Sequence, residues 1–307
     1  MKLASSPRQY CVDCYQMNSG RNPANPLSTV EASWQEAVAR GLARTDAQML
    51  LLHALGRDPR DRAWLIGHDG DPLPPGAAGV FERHCNHRLA GVPVAYLTGR
   101  KAFYGLDLAV DARVLDPRPD TETLVDWALE MDGLPENARV IDLGTGSGAI
   151  ALALKAERPL WQVHALDASP EALEVAAANG QRLGFAVHWA SGHWLAGRSD
   201  RFDLIVSNPP YIAQDDAHLA LLQHEPLTAL VAGADGLDDL RTIVAQAPAH
   251  LQAGGWLMLE HGHDQADAVA NLLVGAGFAQ VSHRKDLAGI RRCTGGRWMP
   301  PALTGDN

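Results

Sequence analysis

The chain has few cysteines, no excess of basic residues and no long apolar run, and each absence excludes a class of protein. Four cysteines among 307 residues are too few and too scattered for the disulfide framework of a small secreted domain, and they favour a reducing cytoplasm. The formal net charge of -10 opposes nonspecific binding to phosphate backbones. We therefore expect no direct nucleic-acid partner.

No apolar run approaches the roughly 18 to 20 residues that cross a bilayer, and no signal-peptide core follows the polar opening residues. We expect no membrane partner and a cytoplasmic location. Hydrophobic residues at 46% and charged residues at 20% are typical of folded globular proteins. The length favours two domains.

The spacing of apolar residues divides the chain into four parts. Residues 1–27 have no sustained apolar period and end in a Pro/Asn cluster, which predicts a disordered extension. Residues 28–98 carry apolar residues at three- and four-residue spacings, which predicts a helical domain. Residues 99–116 alternate loosely and predict a linking β-hairpin. The rest, 117–307, forms the predicted catalytic domain.

From Asp120 onward, strand-like and helix-like segments alternate. The strand segments are ARVIDLG, WQVHALDA, FDLIVSNPP, GWLMLEHG and AQVSHRKD, and the helix segments include GAIALALKAE and PEALEVAAANGQRLG. This alternation predicts an α/β fold with a doubly wound sheet. Such sheets bind ligands beyond the carboxyl ends of their strands, so the residues that follow each strand are the candidate site.

A glycine-rich loop, DLGTGSG at residues 142–148, follows the first of these strands. Its spacing differs from the dinucleotide fingerprint, in which a pyrophosphate rests on the helix N-terminus, so a ligand without phosphate is predicted. Asp167, at the end of the second strand, can accept hydrogen bonds from two ribose hydroxyls. Glycines alone also fit an ordinary turn, but their agreement with the strand, the helix and Asp167 favours a cofactor site.

A second motif, Asn208-Pro209-Pro210-Tyr211, follows the third strand. Such dipeptides often mark simple turns, but prolines also leave rigidly aimed carbonyl acceptors. The Asn208 side-chain oxygen and the Pro209 carbonyl can accept both hydrogens of an amide-like NH2 group and so orient a poor nucleophile. Tyr211 offers an aromatic face to a planar group. The motif therefore predicts chemistry on a planar amino nitrogen.

Together these motifs resemble class I methyltransferases that act on amino groups. Pro-Arg-Pro-Asp-Thr-Glu at 117–122, the glycine loop, Asn-Pro-Pro-Tyr, and Glu-Pro-Leu-Thr-Ala-Leu at 225–230 occur in the order found in the release factor glutamine methyltransferase (HemK/PrmC) family. The resemblance spans about residues 29–298. It implies a Rossmann-like methyltransferase sheet, S-adenosyl-L-methionine as cofactor, and methylation of the glutamine amide nitrogen in the Gly-Gly-Gln motif of peptide chain release factors.

The resemblance also implies roles for individual residues. The implied cofactor contacts are Thr121, Asp142, Gly144, Thr145, Gly146, Ser147, Gly148, Asp167, Trp194 and Asn208, with Asp142 meeting the charged amino acid part of the cofactor. The implied catalytic and substrate residues are Asn208, Pro209, Pro210 and Tyr211, with Arg118 as a further substrate contact. The helical domain and hairpin resemble the part that docks the release factor, and we expect a monomer.

Two positions depart from the family pattern. His193 stands where an acidic residue usually precedes the tryptophan, although a neutral imidazole can still accept a hydrogen bond. Asp116 stands where an apolar residue is common.

Several other residues have a simpler explanation. Cys11 and Cys14 have zinc-like spacing but no second pair, so no metal is predicted. Structural roles are expected for His84, Cys85, His87, Glu260 and His263, and solvated surface positions for Lys101 and Arg113.

Three other functions remain open at this stage. A sister enzyme would methylate a ribosomal protein glutamine by the same chemistry. An adenine-N6 methyltransferase would present a flipped base to the same tetrapeptide, although the acidic charge argues against it. A cofactor-binding adaptor without turnover is the non-enzymatic alternative.

Overall fold

The structure is a computed structural model that describes residues 28–300, so the extension predicted at 1–27 lies outside the described residues. The first part is helical, as predicted. Its helices are α1 (Val30–Ala39), α2 (Arg44–Ala54), α3 (Arg62–Gly67), α4 (Pro75–Leu89) and α5 (Val94–Thr98). They enclose a core of their own that includes the fully buried Leu50, Leu51 and Leu52. Within residues 28–300, no helix is long and apolar enough to cross a membrane.

The predicted hairpin is present and consists of β1 (Arg100–Phe103) and β2 (Leu106–Ala109). Tyr104 and Gly105 form its turn, with φ angles of 47° and 74°. Positive φ at both turn residues is the conformation that matches the right-handed twist of paired strands. The Tyr104 N–H donates a hydrogen bond to Glu122 Oε1 at 2.8 Å, which attaches the hairpin to the catalytic part.

A seven-stranded sheet forms the centre of the catalytic part, with the strand order β5-β4-β3-β6-β7-β9-β8. The elements are α6 (Glu122–Leu129), β3 (Arg139–Leu143), α7 (Ala149–Glu157), β4 (Gln162–Asp167), α8 (Pro170–Leu183), β5 (His188–Ser191), β6 (Phe202–Ser207), α9 (Asp238–His250), β7 (Leu251–Glu260), α10 (Ala266–Gly275), β8 (Phe278–Lys285) and β9 (Arg291–Trp298). The strands β5, β4, β3, β6 and β7 pair in parallel. β9 runs antiparallel to both β7 and β8. The predicted α/β doubly wound fold is confirmed.

Helices cover both faces of this sheet. One apolar cluster joins the sheet to α6, α7 and α8, and a second joins it to α9 and α10. The direction of strand progression reverses at β3, which lies between β4 and β6. Such a switch point leaves a crevice at the carboxyl ends of the strands.

Two strands were not predicted, β5 and β9. β5 is a short edge strand whose two end residues, His188 and Ser191, are exposed. The buried positions of β9 include glycines, because the side chains of large neighbours occupy the space that a side chain on β9 would need. A Cβ on Gly295 would lie 2.7 Å from the Trp127 ring. An apolar pattern therefore never appears in the sequence of β9.

Asn179, on α8, connects the hairpin to the glycine loop. It is fully buried. Its amide accepts from the N–H of Ala109 at 2.8 Å and donates to the Ala109 carbonyl at 2.9 Å and to the Ser147 carbonyl at 3.0 Å. One side chain thus satisfies polar groups from two distant segments.

We predict that Asn179→Ala lowers the free energy of unfolding by about 2 to 3 kcal/mol, because buried polar groups lose their partner. Chemical denaturation at neutral pH measures this change. Gln181→Ala, an exposed amide on the same helix, is the matched control and should change stability by less than about 0.5 kcal/mol. Equal effects of the two substitutions would contradict the bridging role of Asn179.

Candidate active site

A cavity of about 780 Å³ opens at the carboxyl ends of the strands, within the size range of small-molecule sites. Its wall includes six predicted residues, namely Gly144, Gly146, Asp167, Trp194, Asn208 and Pro210. Thr121, Asp142, Thr145, Ser147, Gly148, Pro209 and Tyr211 are not on this wall but adjoin it through the chain or through hydrogen bonds. The cavity therefore collects the loops that follow β3, β4, β5 and β6.

Backbone hydrogen bonds hold the glycine loop against β4. The carbonyl of Leu166 accepts from the N–H groups of Gly144 at 2.8 Å and Thr145 at 2.9 Å. The Asp167 carboxylate accepts from the Gly146 N–H at 2.8 Å. The φ angles of Gly144 and Gly146 are 70° and 54°, a conformation that side chains rarely adopt. The loop is thus fixed before any ligand arrives.

Asp142 lies beneath this loop and is completely buried. Its Oδ2 accepts from the Thr145 hydroxyl at 2.6 Å and from the Ala151 N–H at 3.3 Å. Oδ1 has no hydrogen-bond partner among residues 28–300. Burial raises the pKa of Asp142 to about 7, although both hydrogen bonds oppose this shift. An approaching cation would favour the ionised carboxylate.

Thr121 fixes the orientation of the Asn208 amide. Nδ2 of Asn208 donates to Oγ1 of Thr121 at 3.1 Å, so the amide nitrogen is already engaged. Oδ1 receives no hydrogen bond from the residues that the structure describes, and Asn208 is part of the cavity wall. The Pro209 carbonyl likewise has no described donor. The segment directly after β6 therefore contains two acceptors without a described donor, and their role toward a substrate stays a prediction.

Tyr211, at the end of this loop, lies next to Glu260. The Tyr211 hydroxyl lies 3.5 Å from Oε1 of Glu260, which is almost completely buried at the end of β7. Burial raises the pKa of Glu260 to about 7, although the hydrogen bond from Thr121 and the positive charge of Arg292 both lower it. The expected structural role of Glu260 fits these contacts, which link it to Tyr211 and to Thr121, the hydrogen-bond partner of Asn208.

Arg118 lies outside the cavity, in a neighbouring cleft. Its guanidinium donates to Glu225 Oε1 at 2.5 Å and lies 3.6 Å from Asp116. Asp116 also pairs with Lys101 at 3.0 Å. This network joins the Pro-Arg-Pro and Glu-Pro-Leu segments and neutralises Asp116, which explains how a carboxylate is tolerated at that position.

The sequence reasoning missed part of the cavity wall. The wall residues without a predicted site role include Ala112, Val114, Leu115, Ser169, Pro226, Thr228, Ala229 and Asp239, and also Arg113, which was expected to be a solvated surface position. The Glu-Pro-Leu-Thr-Ala-Leu motif signalled three of them, although no role followed from it. Asp239 carried no signal, because the α9 helix that holds it follows a loop whose path the sequence does not reveal.

The histidines with expected structural roles differ in their surroundings, because His84 is half-buried whereas His87 and His263 are exposed. Nδ1 of the buried His261 lies 2.9 Å from the Gly262 carbonyl and its Nε2 lies 2.7 Å from the Thr294 hydroxyl. Burial lowers the pKa of His84. Among residues 28–300, no group of three or more His, Cys, Asp or Glu residues is arranged to hold a metal, and Cys11 and Cys14 lie outside that range.

Two family models match the chain. The PrmC N-terminal domain matches residues 31–99 and the Methyltransferase small domain matches residues 121–272. A solved structure of a methyltransferase from Pyrococcus furiosus matches with a TM-score of 0.53 at 19% identity, covering 70% of this chain and 99% of that chain. That likeness shows the fold.

Curated relatives are similar over nearly their whole length. The release factor glutamine methyltransferase of Xylella fastidiosa (strain Temecula1) is 50% identical over 265 residues, covering 85% of this chain and 95% of the relative. That of Bordetella pertussis (strain Tohama I) is 48% identical over 260 residues, covering 83% and 95%. At this identity and coverage, the chain belongs to the release factor glutamine methyltransferase family.

Proposed function

We propose that the protein transfers a methyl group from S-adenosyl-L-methionine to the side-chain amide nitrogen of the glutamine in the Gly-Gly-Gln motif of peptide chain release factors. The observation that carries this proposal is the Thr121–Asn208 hydrogen bond, which leaves the Asn208 oxygen to accept from an NH2 group. Membership of the family supports the choice of substrate. We place the activity in the cytoplasm, where release factors act, and a monomeric state stays a prediction.

The residues around the cavity fit the proposed cofactor. The unpartnered Oδ1 of Asp142 provides a buried negative charge beneath the loop, which suits the positively charged amino acid part. The Asp167 carboxylate accepts from the N–H groups of Gly146 and Ser169 and retains lone pairs for ribose hydroxyls. Trp194 contributes an indole beside a base. When bound, S-adenosylmethionine supplies a methyl group on a positively charged sulfur.

Positioning explains how this chain promotes the transfer. The lone pair of an amide nitrogen is delocalised into the carbonyl, so the group is a sluggish nucleophile. Asn208 Oδ1 and the Pro209 carbonyl each accept one N–H, which fixes the nitrogen and favours its rehybridisation. With S-adenosylmethionine bound, its methyl group would be transferred to this nitrogen as the S–C bond broke, and one of the two N–H hydrogens held by Asn208 and Pro209 would be lost to solvent as a proton.

A wide cleft next to the cavity supports docking of a folded protein. Its wall comes from the helical part, the hairpin and the segment before Glu225, and it encloses about 1120 Å³. Basic residues such as Arg57 and Arg60 alternate there with acidic ones such as Asp58. Leu221 adds an exposed apolar contact. Mixed charge around an apolar centre is typical of protein interfaces.

The test of substrate class is incubation with labelled S-adenosylmethionine and separate pools of release factor, ribosomal protein, DNA and RNA. Mass mapping then locates the methylated atom. Label on the glutamine of the Gly-Gly-Gln motif is the expected result. Label on a ribosomal protein glutamine would support the sister activity, and label on adenine would overturn the proposal.

For the catalytic loop, we predict that Asn208→Ala keeps cofactor affinity within severalfold while kcat falls by roughly 100-fold or more, the cost of losing one preorganised polar contact. Single-turnover kinetics and calorimetric binding separate the two effects. Gln252→Ala removes an exposed amide at the far end of the sheet and serves as the control. Unchanged turnover of the Asn208 variant would remove this residue from the mechanism.

Cofactor affinity should increase between about pH 6 and pH 8. The pKa of Asp142 is raised to about 7, so the carboxylate is largely protonated at the lower pH and attracts an ammonium group only as the pH rises. Calorimetric titration at several pH values measures this trend. Asp142→Asn should flatten it, because the variant has no charge to gain.

A matched ligand gives the control for this pH dependence. 5′-Methylthioadenosine lacks the charged amino acid part, so its affinity should change little with pH in either protein. If its affinity followed the same pH trend as S-adenosylmethionine, an effect other than the Asp142–ammonium attraction would be responsible.

If the release factor docks in this cleft, a folded release factor should be a much better substrate than a short Gly-Gly-Gln peptide. Leu221→Glu should raise KM for the folded substrate by about tenfold, the scale of one interface contact, without changing kcat/KM for the peptide. Leu160→Glu, at an equally accessible leucine away from the cleft, is the control. Equal efficiency on protein and peptide would eliminate the docking role.

A further inference from the structure

Asp239 lies on the cavity wall beside Trp194. Its Oδ1 accepts a hydrogen bond from the indole Nε1 of Trp194 at 3.0 Å. No residue in the described part of the chain donates a hydrogen bond to Oδ2. Burial raises the pKa of Asp239, although the bond from Trp194 and the neighbouring His193 oppose this shift. A partly desolvated carboxylate with a free oxygen is stabilised by a further N–H donor.

The order of the strands and the hydrogen bond from Trp194 together connect Asp239 to the segment after β5. Across the sheet, the loops after β6, β3, β4 and β5 follow one another in space. They carry Asn208, the glycine loop, Asp167 and Trp194. With the methyl group at Asn208 and the ribose at Asp167, the purine base extends toward β5. That end of the cavity is where Trp194 and Asp239 meet.

Other acceptors at this end are less suited to a base. Asp167 is committed to the ribose and to backbone N–H groups. Glu171 is exposed and accepts from the Ser169 hydroxyl at 3.1 Å. His193 is exposed. Asp239 is the half-buried carboxylate, and its indole partner holds it in position.

We propose that Asp239 accepts a hydrogen bond from the exocyclic amino group of adenine and makes the site selective for adenine over a 6-oxo purine. This inference rests on S-adenosylmethionine as the proposed cofactor. A carboxylate attracts the amino group of adenine but repels the carbonyl of hypoxanthine, which stands at the same ring position. Selectivity therefore arises from both an attraction and a repulsion.

The experiment compares calorimetric binding of S-adenosylhomocysteine with that of its deaminated analogue, S-inosylhomocysteine. The wild-type protein should prefer the adenine form by roughly 10- to 100-fold, the range of a hydrogen bond to a charged group. Asp239→Asn keeps an oxygen for Trp194 and offers an NH2 to the 6-oxo group, so the preference should fall below about threefold. Asp238→Asn, a substitution of the exposed neighbour, should leave the preference unchanged.

Each other outcome has a definite meaning. Equal weakening of both ligands by Asp239→Asn would show that the residue only supports Trp194, and it would overturn the inference. Loss of preference in His193→Ala but not in the Asp239 variant would assign the role to His193. Equal binding of both ligands by the wild-type protein would overturn the inference without involving any variant. If neither ligand bound to the wild-type protein, the proposed cofactor itself would fail.

Discussion

The parallel pairing of β3 with β4 on one side and β6 on the other is the constraint on which the rest of the structure depends. The pairing brings three carboxyl ends to the same edge of the sheet. The Leu166 carbonyl at the end of β4 then secures the glycine loop, and the residue after β6 is Asn208. The loops after these strands can contribute to one cavity because adjacent strands lie only about 4.8 Å apart.

Polar contacts from outside the sheet complete the arrangement. Thr121 comes from the segment before α6 and orients Asn208, while Asn179 connects the hairpin to the glycine loop. The Arg118–Glu225 ion pair joins the segment before α6 to the segment that carries part of the cavity wall. The Pro-Arg-Pro-Asp-Thr-Glu segment is thus hydrogen-bonded both to the Asn208 loop and to the Glu-Pro-Leu-Thr-Ala-Leu segment, at sequence separations of 87 and 107 residues.

The sequence predicted the local chemistry better than the distant contacts. Strands that carry their own apolar run, such as β3 and β6, were evident, and so were the residues directly after them. β9 was missed because the rings of neighbours occupy the space above its glycines. Asp239 was missed because its position depends on a long loop. Arg118 lies in the neighbouring cleft, where it is hydrogen-bonded to Glu225. Such placements follow from tertiary packing, which no periodicity encodes.

The absence of a side chain at Gly295 has a consequence for the position of Thr121. The Trp127 ring fills the space that such a side chain would need, and Trp127 is on α6, directly after the segment that carries Thr121. A side chain at Gly295 would push the helix away from the sheet and carry the threonine hydroxyl with it. The size of the residue at position 295 on an antiparallel strand is therefore linked, through Trp127 and α6, to the Thr121–Asn208 hydrogen bond on the opposite side of β7.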